Sequence, residues 1–410
     1  MKITLVNHSD TLGGASVVTF RLMEALRTQD VDARMLVAHK SSDSPYVEQA
    51  AGNLRTKLPF LAEHLRIFTH NGFSRRDLFK ASIATDGLPL SRHPLIRRAD
   101  AVMLNWVNQG MLSLDEICHI AADKTVIWTM HDMWNFTGIC HHAGHCDRYM
   151  NACGDCPLLN SCAGPHDMSA STFARKKKAY AKAGIIFVGV SSWLTGCARR
   201  SNLLGDQRVE LIHNALPVEK FMTEPAFSRE QLGLPSDKKL IMFCAARIDD
   251  PIKQHNLAID ALNLLADTHG DKVFAVFVGD LRDTACLSRL RLPHVHLGPI
   301  YSPEKIQSLM AHSSVVLSTS SFETLPTILI EGQAAAAVPV GFVHDGRADI
   351  IQDGLTGYAI ESSDNPAAAT AAAICKALDK PISPEALRTA ASRFSYRSIA
   401  DKYLSLLQTV

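Results

Sequence analysis

Two glutamates stand eight positions apart in the stretch from Ser318 to Gly341, STSSFETLPTILIEGQAAAAVPVG. Pro326 suits the first turn of a helix because it lacks only an N–H that would be unpaired there anyway. Glu323 then lies in the preceding loop and Glu331 in the second turn, while the first-turn amides attract an anion. The pattern predicts two carboxylates beside a phosphate-sized site. The alternative is a solvated glutamate on each side of an ordinary connection.

Further candidate side chains follow other predicted strands. Arg247 and Lys253 come after the strand Leu240 to Ala245, six residues apart, and can contact one diphosphate from two sides. Ordinary surface charges on a loop are the alternative. His131 follows the strand Thr125 to Thr129, at an edge where open α/β sheets bind ligands, although a structural histidine is equally common there.

Glycines mark two more strand ends. Gly13 and Gly14 follow the strand Ile3 to Val6, and Gly279 follows the strand Lys272 to Val278. Glycine lets the backbone approach a ligand, but no GxGxxG pattern is present, so a dinucleotide fingerprint is not supported. A simple tight turn is the alternative at Gly13.

A cysteine-rich segment, CHHAGHCDRYMNACGDC, contains four thiols and ends in CxxC. Four thiolates at such spacing can close a tetrahedral structural zinc site, and they would leave no open position for catalysis. The predicted ligands are Cys140, Cys146, Cys153 and Cys156, with His141, His142, His145 and Cys162 as substitutes for one of them. Unpaired cysteines and a redox CxxC are the alternatives.

Composition is that of an ordinary globular protein. The 410 residues are 47% hydrophobic and 20% charged, and the net charge of +1 does not indicate nucleic acid as a partner. Neither a signal-peptide core nor an apolar run of about 18 residues is found, so we expect a cytoplasmic protein with reduced cysteines. The basic run within Phe173 to Lys182 predicts a solvated helix face or, alternatively, contact with the inner face of an anionic membrane.

Alternating strand and helix patterns predict two doubly wound α/β domains. The expected bounds are residues 1–212, with a cysteine-rich insertion at 140–162, and residues 213–390. Residues 391–410 should form a terminal helix whose apolar face, with Ile399, Tyr403, Leu406 and Val410, packs back on the first domain. The region from Ser41 to Arg98 gives only a predicted helix around Ser74 to Phe79.

With these motifs in hand, the chain resembles a retaining glycosyltransferase of family 4, in which two Rossmann-like domains of the GT-B class face each other across a cleft. The resemblance rests on the two glutamates, the basic pair, Gly279, the glycine turn and the His131-Asp132 strand end. The stretch Thr129 to Trp134 with the cysteines after it is similar to a bacterial polysaccharide-building branch of that family.

The resemblance implies a role for each candidate. Arg247 and Lys253 would hold the donor diphosphate and neutralise charge on the departing nucleotide. Glu331 would bind the ribose and Glu323 the donor sugar. The amides at Thr324 and Leu325 would cap the phosphate. Gly13 and Gly14, carried over as donor-binding positions, would let the first domain close against the donor or acceptor, and the catalytic His131 would lie near the sugar. Gly279 is carried over as a donor-binding position.

The expected reaction moves a sugar from a nucleotide-diphosphate sugar to a lipid-linked or polysaccharide acceptor without a catalytic metal. Front-face attack is implied, so no general base is assigned. Departures from the family lie at Thr324-Leu325-Pro326 and in the alanine run after Glu331. A catalytically inactive sugar-nucleotide-binding protein and a sugar-nucleotide epimerase of the same fold are the alternatives.

Overall fold

A computed structural model describes residues 1–409 of the chain. Contacts divide the chain into two compact units, Met1–Ala215 with the residues from Ile399 onward, and Leu216–Ser398. The sequence predicts divisions after residues 212 and 390. Within residues 1–409, no helix is long and apolar enough to cross a membrane.

The first unit is built on one parallel sheet. Its strands are β1 (Lys2–Ser9), β2 (Asp32–His39), β3 (Val47–Gln49), β4 (Ala101–Leu104), β5 (Thr125–Met130), β6 (Ile186–Gly189) and β7 (Val209–Leu211). Among the described residues the order is β3-β2-β1-β4-β5-β6-β7, and every pairing is parallel. The helices are α1 (Gly14–Arg27), α2 (Asn53–His70), α3 (Pro94–Arg98), α4 (Leu114–Asp123), α5 (Met168–Ala183) and α6 (Ser192–Arg200).

The second unit has a parallel sheet of its own. Its strands are β8 (Lys239–Arg247), β9 (Val273–Asp280), β10 (His294–His296), β11 (Ser313–Ser318), β12 (Val338–Gly341) and β13 (Tyr358–Ala359). Among the described residues the order is β10-β9-β8-β11-β12-β13. The helices are α7 (Val218–Phe221), α8 (His255–His269), α9 (Pro303–His312), α10 (Thr327–Ala334), α11 (Pro366–Asp379) and α12 (Pro384–Ser392); α13 (Tyr396–Leu407) follows.

Burial explains why these segments become strands. All four residues of β4 and of β6 are buried, and so are five of the six residues of β5. Helices cover both faces of a parallel sheet, so its strands are near-continuous apolar runs. Since all strands point the same way, the loops that follow them gather at one edge of each sheet.

Two segments differ from the sequence-based expectation. The predicted helix at Ser74 to Phe79 is wrong, because Phe73 and Asp77 adopt positive φ values of 58° and 57° and only the short turn Leu78–Lys80 is helical. Helix α2 was not predicted, and it contains Pro59 in its interior.

The terminal helix α13 buries the predicted face. Ile399, Tyr403 and Leu406 are buried, and the Tyr403 hydroxyl hydrogen-bonds the Thr129 hydroxyl on β5 at 2.9 Å. Both residues belong to the first unit. Val410, the last predicted contact, lies outside the described residues.

Candidate active site

Arg247 is the last residue of β8, at the edge of the sheet where loops gather. Its Nε lies 3.3 Å from Asp249 Oδ1, and its Nη2 lies 3.8 Å from Asp250 Oδ2. The Nε–H does not point at the carboxylate, so Nε and Asp249 Oδ1 are buried without a hydrogen-bond partner among the described residues. A buried donor without a partner costs stability until a ligand accepts from it. The Arg247 side chain as a whole is 40% exposed, so part of it faces solvent.

Lys253 and Glu323 form an ion pair between two loops of the second unit. Lys253 ends the short turn Pro251–Lys253 after β8, and its Nζ lies 2.7 Å from Glu323 Oε1 in the loop after β11. Both side chains remain partly exposed, at 30% and 17%. A charge-assisted bond of this length fixes the direction of the carboxylate, while the other Lys253 N–H donors stay available.

Backbone contacts lock these two loops together. The Ser321 amide donates to the Ile252 carbonyl at 2.8 Å. The Thr319 hydroxyl donates to the carbonyls of Lys253 and Gln254, at 2.9 and 3.1 Å. The contact between Lys253 and Glu323 thus rests on a fixed backbone rather than on two flexible side chains.

A buried ion pair beneath the loop was not predicted. Arg347 and Asp345 are 0% and 1% exposed and meet in a bidentate contact of 2.9 and 2.7 Å. Arg347 also donates to the Ser320 carbonyl at 2.7 Å, and Asp345 accepts from the Glu323 amide at 2.8 Å. The pair therefore sets the course of the chain on both sides of Ser321. Its sequence signal was the Asp-Gly-Arg triplet after β12, to which the sequence alone assigned no role.

Gly346, between those two residues, is required by close packing. A Cβ at this position would lie 1.7 Å from the Thr324 carbonyl oxygen. The Gly346 amide donates to the Glu323 carbonyl at 3.1 Å. Glu323 and Thr324 are thus held from below, with the buried Leu325 next to them.

Helix α10 begins at Thr327, so Pro326 is its cap rather than its first residue. Glu331 lies in the second turn, as the sequence predicts, and is only 6% exposed. Burial raises the pKa of Cys244 to about 12, and the Glu331 carboxylate contributes to that shift. The thiol therefore stays protonated beside the carboxylate.

Gly279 has a packing role in the second unit. Its φ is +135°, and a Cβ there would lie 1.8 Å from the Ala245 carbonyl oxygen. Its amide donates to the Gly298 carbonyl at 2.9 Å. These contacts account for the glycine without a ligand.

In the first unit, Gly13 and Gly14 lie in open space at the start of α1. Neither would meet an atom within 4 Å if it had a Cβ, and Gly13 adopts a φ of +87°. Only Gly13 therefore needs to be glycine for its conformation. The absence of neighbouring atoms leaves room for a ligand at this turn.

His131 is held neutral by its surroundings. Burial lowers its pKa to about 4, although the nearby Asp132 charge acts in the opposite direction. Its Nε2 lies 3.0 Å from Asn105 Oδ1, so Nε2 donates and Nδ1 is left as an acceptor. With Asn105, Thr129 and Asn214, it lines a cavity of about 10 Å³.

Asp132 anchors a closed polar network beside His131. It accepts from Trp106 Nε1 at 2.8 Å, the Trp134 amide at 2.8 Å and His141 Nδ1 at 2.7 Å. Burial alone would raise the pKa of Asp132, but the charge and hydrogen bond of His141 lower it to about 2. Ser82 Oγ lies 3.1 Å from His141 Nε2. This serine-histidine-aspartate order is that of a hydrolytic triad, but all three side chains are buried and satisfy one another.

The predicted zinc ligands share one cavity. Among its lining residues are Cys140, Cys146, Cys153 and Cys156, and the cavity measures about 60 Å³. Burial raises the pKa of Cys140 to about 12 and that of Cys153 to about 11, as expected for thiols without a metal. Within residues 1–409, however, no three such side chains stand in a ligating arrangement. His141, one of the possible substitute ligands, contacts Asp132 through Nδ1 and Ser82 through Nε2. Zinc binding stays a prediction.

Residues 226–394 match the family model for glycosyl transferases group 1. These residues form a glycosyl transferase group 1 domain. The chain is also 23% identical, over 298 residues, to the protein of Escherichia coli K12 named for colanic acid biosynthesis, the glycosyl transferase WcaC. The match covers 70% of this chain and 68% of that protein.

Solved structures show the same fold at low identity. Anabaena HepE in complex with UDP and glucose has a TM-score of 0.62 at 16% identity, with 100% of both chains covered. WaaG, a glycosyltransferase involved in lipopolysaccharide biosynthesis, has a TM-score of 0.61 at 13% identity, with 98% of this chain and 99% of that chain covered. The predicted fold class, two Rossmann-like α/β domains of the GT-B class, is confirmed.

Within the glycosyl transferase domain the structure brings Lys253 and Glu323 into contact, and Arg247 ends the strand β8 that precedes the Lys253 turn. Glu331 lies on the helix that follows Glu323. Gly13, Gly14 and His131 belong to the other unit. Sequence reasoning missed Asp345 and Arg347, because their function depends on a loop more than twenty residues away in the chain.

Proposed function

We propose that this chain is a retaining, metal-independent hexosyltransferase. It moves a sugar from a nucleotide-diphosphate sugar to a lipid-linked or polysaccharide acceptor in surface glycan biosynthesis. The observation that carries the proposal is the fixed ion pair of Lys253 and Glu323, in a glycosyl transferase group 1 domain that also contains the partly exposed Arg247.

The basic side chains act on the leaving group. When the bond between the sugar C1 and the phosphate oxygen breaks, its electron pair stays on the nucleotide diphosphate. Arg247 Nε and the Lys253 ammonium donate to that diphosphate and stabilise the developing charge. Since both are held by loop contacts before the donor arrives, little reorganisation is needed in the transition state.

The glutamates orient the donor. Glu323 uses one carboxylate oxygen for Lys253 and has the other available for the sugar hydroxyls, while Glu331 accepts from the ribose hydroxyls. The acceptor oxygen attacks C1 on the face that the diphosphate leaves, and its proton passes to a departing phosphate oxygen. This path retains the anomeric configuration and uses no protein base.

Two relatives support the donor and acceptor classes. HepE was crystallised with UDP-glucose, and the Escherichia coli relative is named for colanic acid biosynthesis. We extend both features to this chain as part of the proposal. Gly13 and Gly14 are assigned to donor binding and His131 to a catalytic position near the sugar, with His131 neutral at physiological pH because its pKa is about 4.

The test measures release of nucleotide diphosphate from a panel of nucleotide sugars, with products identified by mass spectrometry. Lys253→Ala and Arg247→Ala should each lower kcat by about 10²–10³-fold, the usual loss for one donor to developing charge. Arg289→Ala, which removes the exposed ion pair with Asp260, is the matched control and should leave the rate unchanged. Nuclear magnetic resonance of the product should show the anomeric configuration of the donor, and added Mg²⁺ or Mn²⁺ should not change the rate.

Two results would contradict the proposal. Donor binding without release of nucleotide, for every donor and a range of glycan acceptors, would indicate an inactive sugar-nucleotide-binding protein. Conversion of the nucleotide sugar to another one without any acceptor would indicate an epimerase.

A further inference from the structure

Helix α2 exposes a continuous row of leucines. Leu54, Leu58, Leu61 and Leu65 are spaced by four, three and four residues, so they lie on one side of the helix. Each is between 58% and 74% exposed. We call these four residues the leucine stripe. A surface helix normally turns its apolar side toward the core, so this stripe requires an explanation.

The opposite side of α2 is already anchored. Thr56, Glu63 and Ile67 are buried, and Glu63 Oε1 accepts from the amides of Ile83 and Ala84 at 2.7 and 2.8 Å. Turning the leucine stripe inward would break these contacts and expose Ile67. The stripe is therefore a fixed feature of the surface.

Two exposed aromatic rings widen the apolar surface. Phe73 packs edge-on against Phe68 of α2, with ring centroids 5.6 Å apart, and is 70% exposed. Phe79 stacks on Phe60 of α2 at 6.5 Å and is 62% exposed. An apolar row with aromatic residues at its margin is typical of helices that lie in a membrane interface.

Basic side chains flank the stripe, and Arg66 of the same helix is paired with Asp86 at 3.3 Å. Glu63 is the only carboxylate of α2 and faces inward, while Arg55 and Lys57 are exposed on the two flanks of the stripe. Arg75 follows the helix and is also exposed. Basic side chains beside an apolar row complement anionic lipid headgroups. A second copy of the chain would bring the same positive flanks together, which disfavours a dimer.

The basic run of α5 offers fewer free cations than its sequence indicates. Lys176 is fully buried and its ammonium donates to the carbonyls of Trp134 and Thr137. Arg175 donates to the carbonyls of Ile83 and Ala84. Both cations stabilise the first unit through these contacts, and only Lys177 and Lys178 of the run remain as exposed cations without a contact to a backbone carbonyl of this group.

We propose that the leucine stripe inserts into the interface of an anionic membrane, with Arg55 and Lys57 against the lipid phosphates. The inference deepens the proposed function, because a lipid-linked acceptor would be met at the same surface. Its test measures binding alone, so it can succeed or fail whether or not the chain transfers sugar.

The experiment is co-sedimentation of the full chain with vesicles of phosphatidylcholine, with and without phosphatidylglycerol. Binding should require phosphatidylglycerol and fall with added salt. The double substitution Leu58→Ser and Leu61→Ser should weaken binding about tenfold or more. Arg55→Glu with Lys57→Glu should weaken it by about fivefold for each cation lost.

Matched controls use similar residues elsewhere. Leu264→Ser with Leu355→Ser removes two exposed leucines from the other unit, and Lys380→Glu with Lys402→Glu makes the same change in net charge. Both should bind as the unchanged chain does, with circular dichroism checking the fold of every variant. Equal losses in the control variants, or equal binding to vesicles without phosphatidylglycerol, would overturn the proposal. So would a leucine-stripe variant that binds vesicles normally but converts a dimer to a monomer.

Discussion

The two units use the polar side chains at their strand ends in opposite ways. In the first unit, Asp132 and His141 satisfy each other and are buried, so the cluster is closed. In the second unit, Lys253 and Glu323 stay partly exposed and Arg247 keeps a donor without a partner, so the cluster is open. A closed network stabilises the fold, whereas an open one can exchange its contacts for those of a charged ligand.

This contrast teaches how to interpret similar sequence patterns. Both clusters follow buried strands of parallel sheets, and both looked like candidate sites. The difference lies in whether the partners of each charge are supplied by the chain itself. That depends on residues distant in sequence, such as Ser82 for His141.

The largest expected effect is that of zinc on the stability of the first unit. If Cys140, Cys146, Cys153 and Cys156 bind Zn²⁺, its removal should lower the stability of the first unit by several kcal/mol, since structural zinc contributes about 10–16 kcal/mol in small peptides. Metal analysis of the purified protein should give one zinc per chain, and Cys153→Ser should lose it. Cys375→Ser in the second unit is the control. A protein without zinc whose Cys153→Ser variant folds normally would end the prediction.

The next largest effect is the loss of stability of the second unit when the buried ion pair of Arg347 and Asp345 is broken. Arg347→Met leaves the Asp345 carboxylate buried without its cation, which should cost about 3–5 kcal/mol. Arg291→Met breaks the bidentate pair with Asp267 at the surface, where solvent screens the charges, and should leave the stability almost unchanged. Hydrogen exchange of the second unit can measure both. Similar losses of stability in the two variants would show that the buried pair of Arg347 and Asp345 does not support the loop that contains Glu323.

The sequence predicts the strands and the positions of some candidate side chains. Strands such as β5 and β8 are recognisable from their apolar runs, and Glu331 was placed correctly in the second turn of its helix. Helix α2 was missed because apolar residues lie on both of its sides and because Pro59, a residue that usually ends helices, lies within it. The helical period is hidden when a helix also has an apolar outer surface.

The residues that hold the loops of the candidate site in place could not be predicted for another reason. Gly346 is needed because Thr324 approaches it, and Thr319 is needed because two carbonyls of another loop lie next to it. Such requirements arise only when distant segments meet. The sequence therefore identified the groups that could act on a ligand but not the groups that hold them in place.

The free energy of unfolding of the first unit should depend on pH through its buried histidines. Burial lowers the pKa of His8 and of His131 to about 4, so folding favours their neutral forms. As pH falls below about 6.5 the unfolded chain gains protons that the folded chain does not, and stability drops until pH about 4. The loss should reach up to about 3 kcal/mol per histidine.

All four tryptophans lie in the first unit, so urea unfolding followed by tryptophan fluorescence reports this loss. Asp132, with a pKa of about 2, keeps its contribution throughout that range. His131→Gln should reduce the slope between pH 6.5 and 4, and His255→Gln should not. An unchanged slope in His131→Gln would mean that this histidine is not buried in its neutral form.

The smallest expected effect is that of substitutions in the alanine run after Glu331, in the second unit. Ala336 has a φ of +67°, and the amides of Ala336 and Ala337 donate to the carbonyls of Gln333 and Gly332. This is the helix end that usually has glycine at the left-handed position, and an alanine there costs about 1–2 kcal/mol. Ala336→Gly should therefore stabilise the second unit by roughly 0.5–1 kcal/mol after the entropy of glycine is subtracted. Ala334→Gly, within the helix, should destabilise it by about 1 kcal/mol in the same hydrogen-exchange measurement. If both substitutions destabilise equally, the left-handed turn behind Glu331 does not exist in solution.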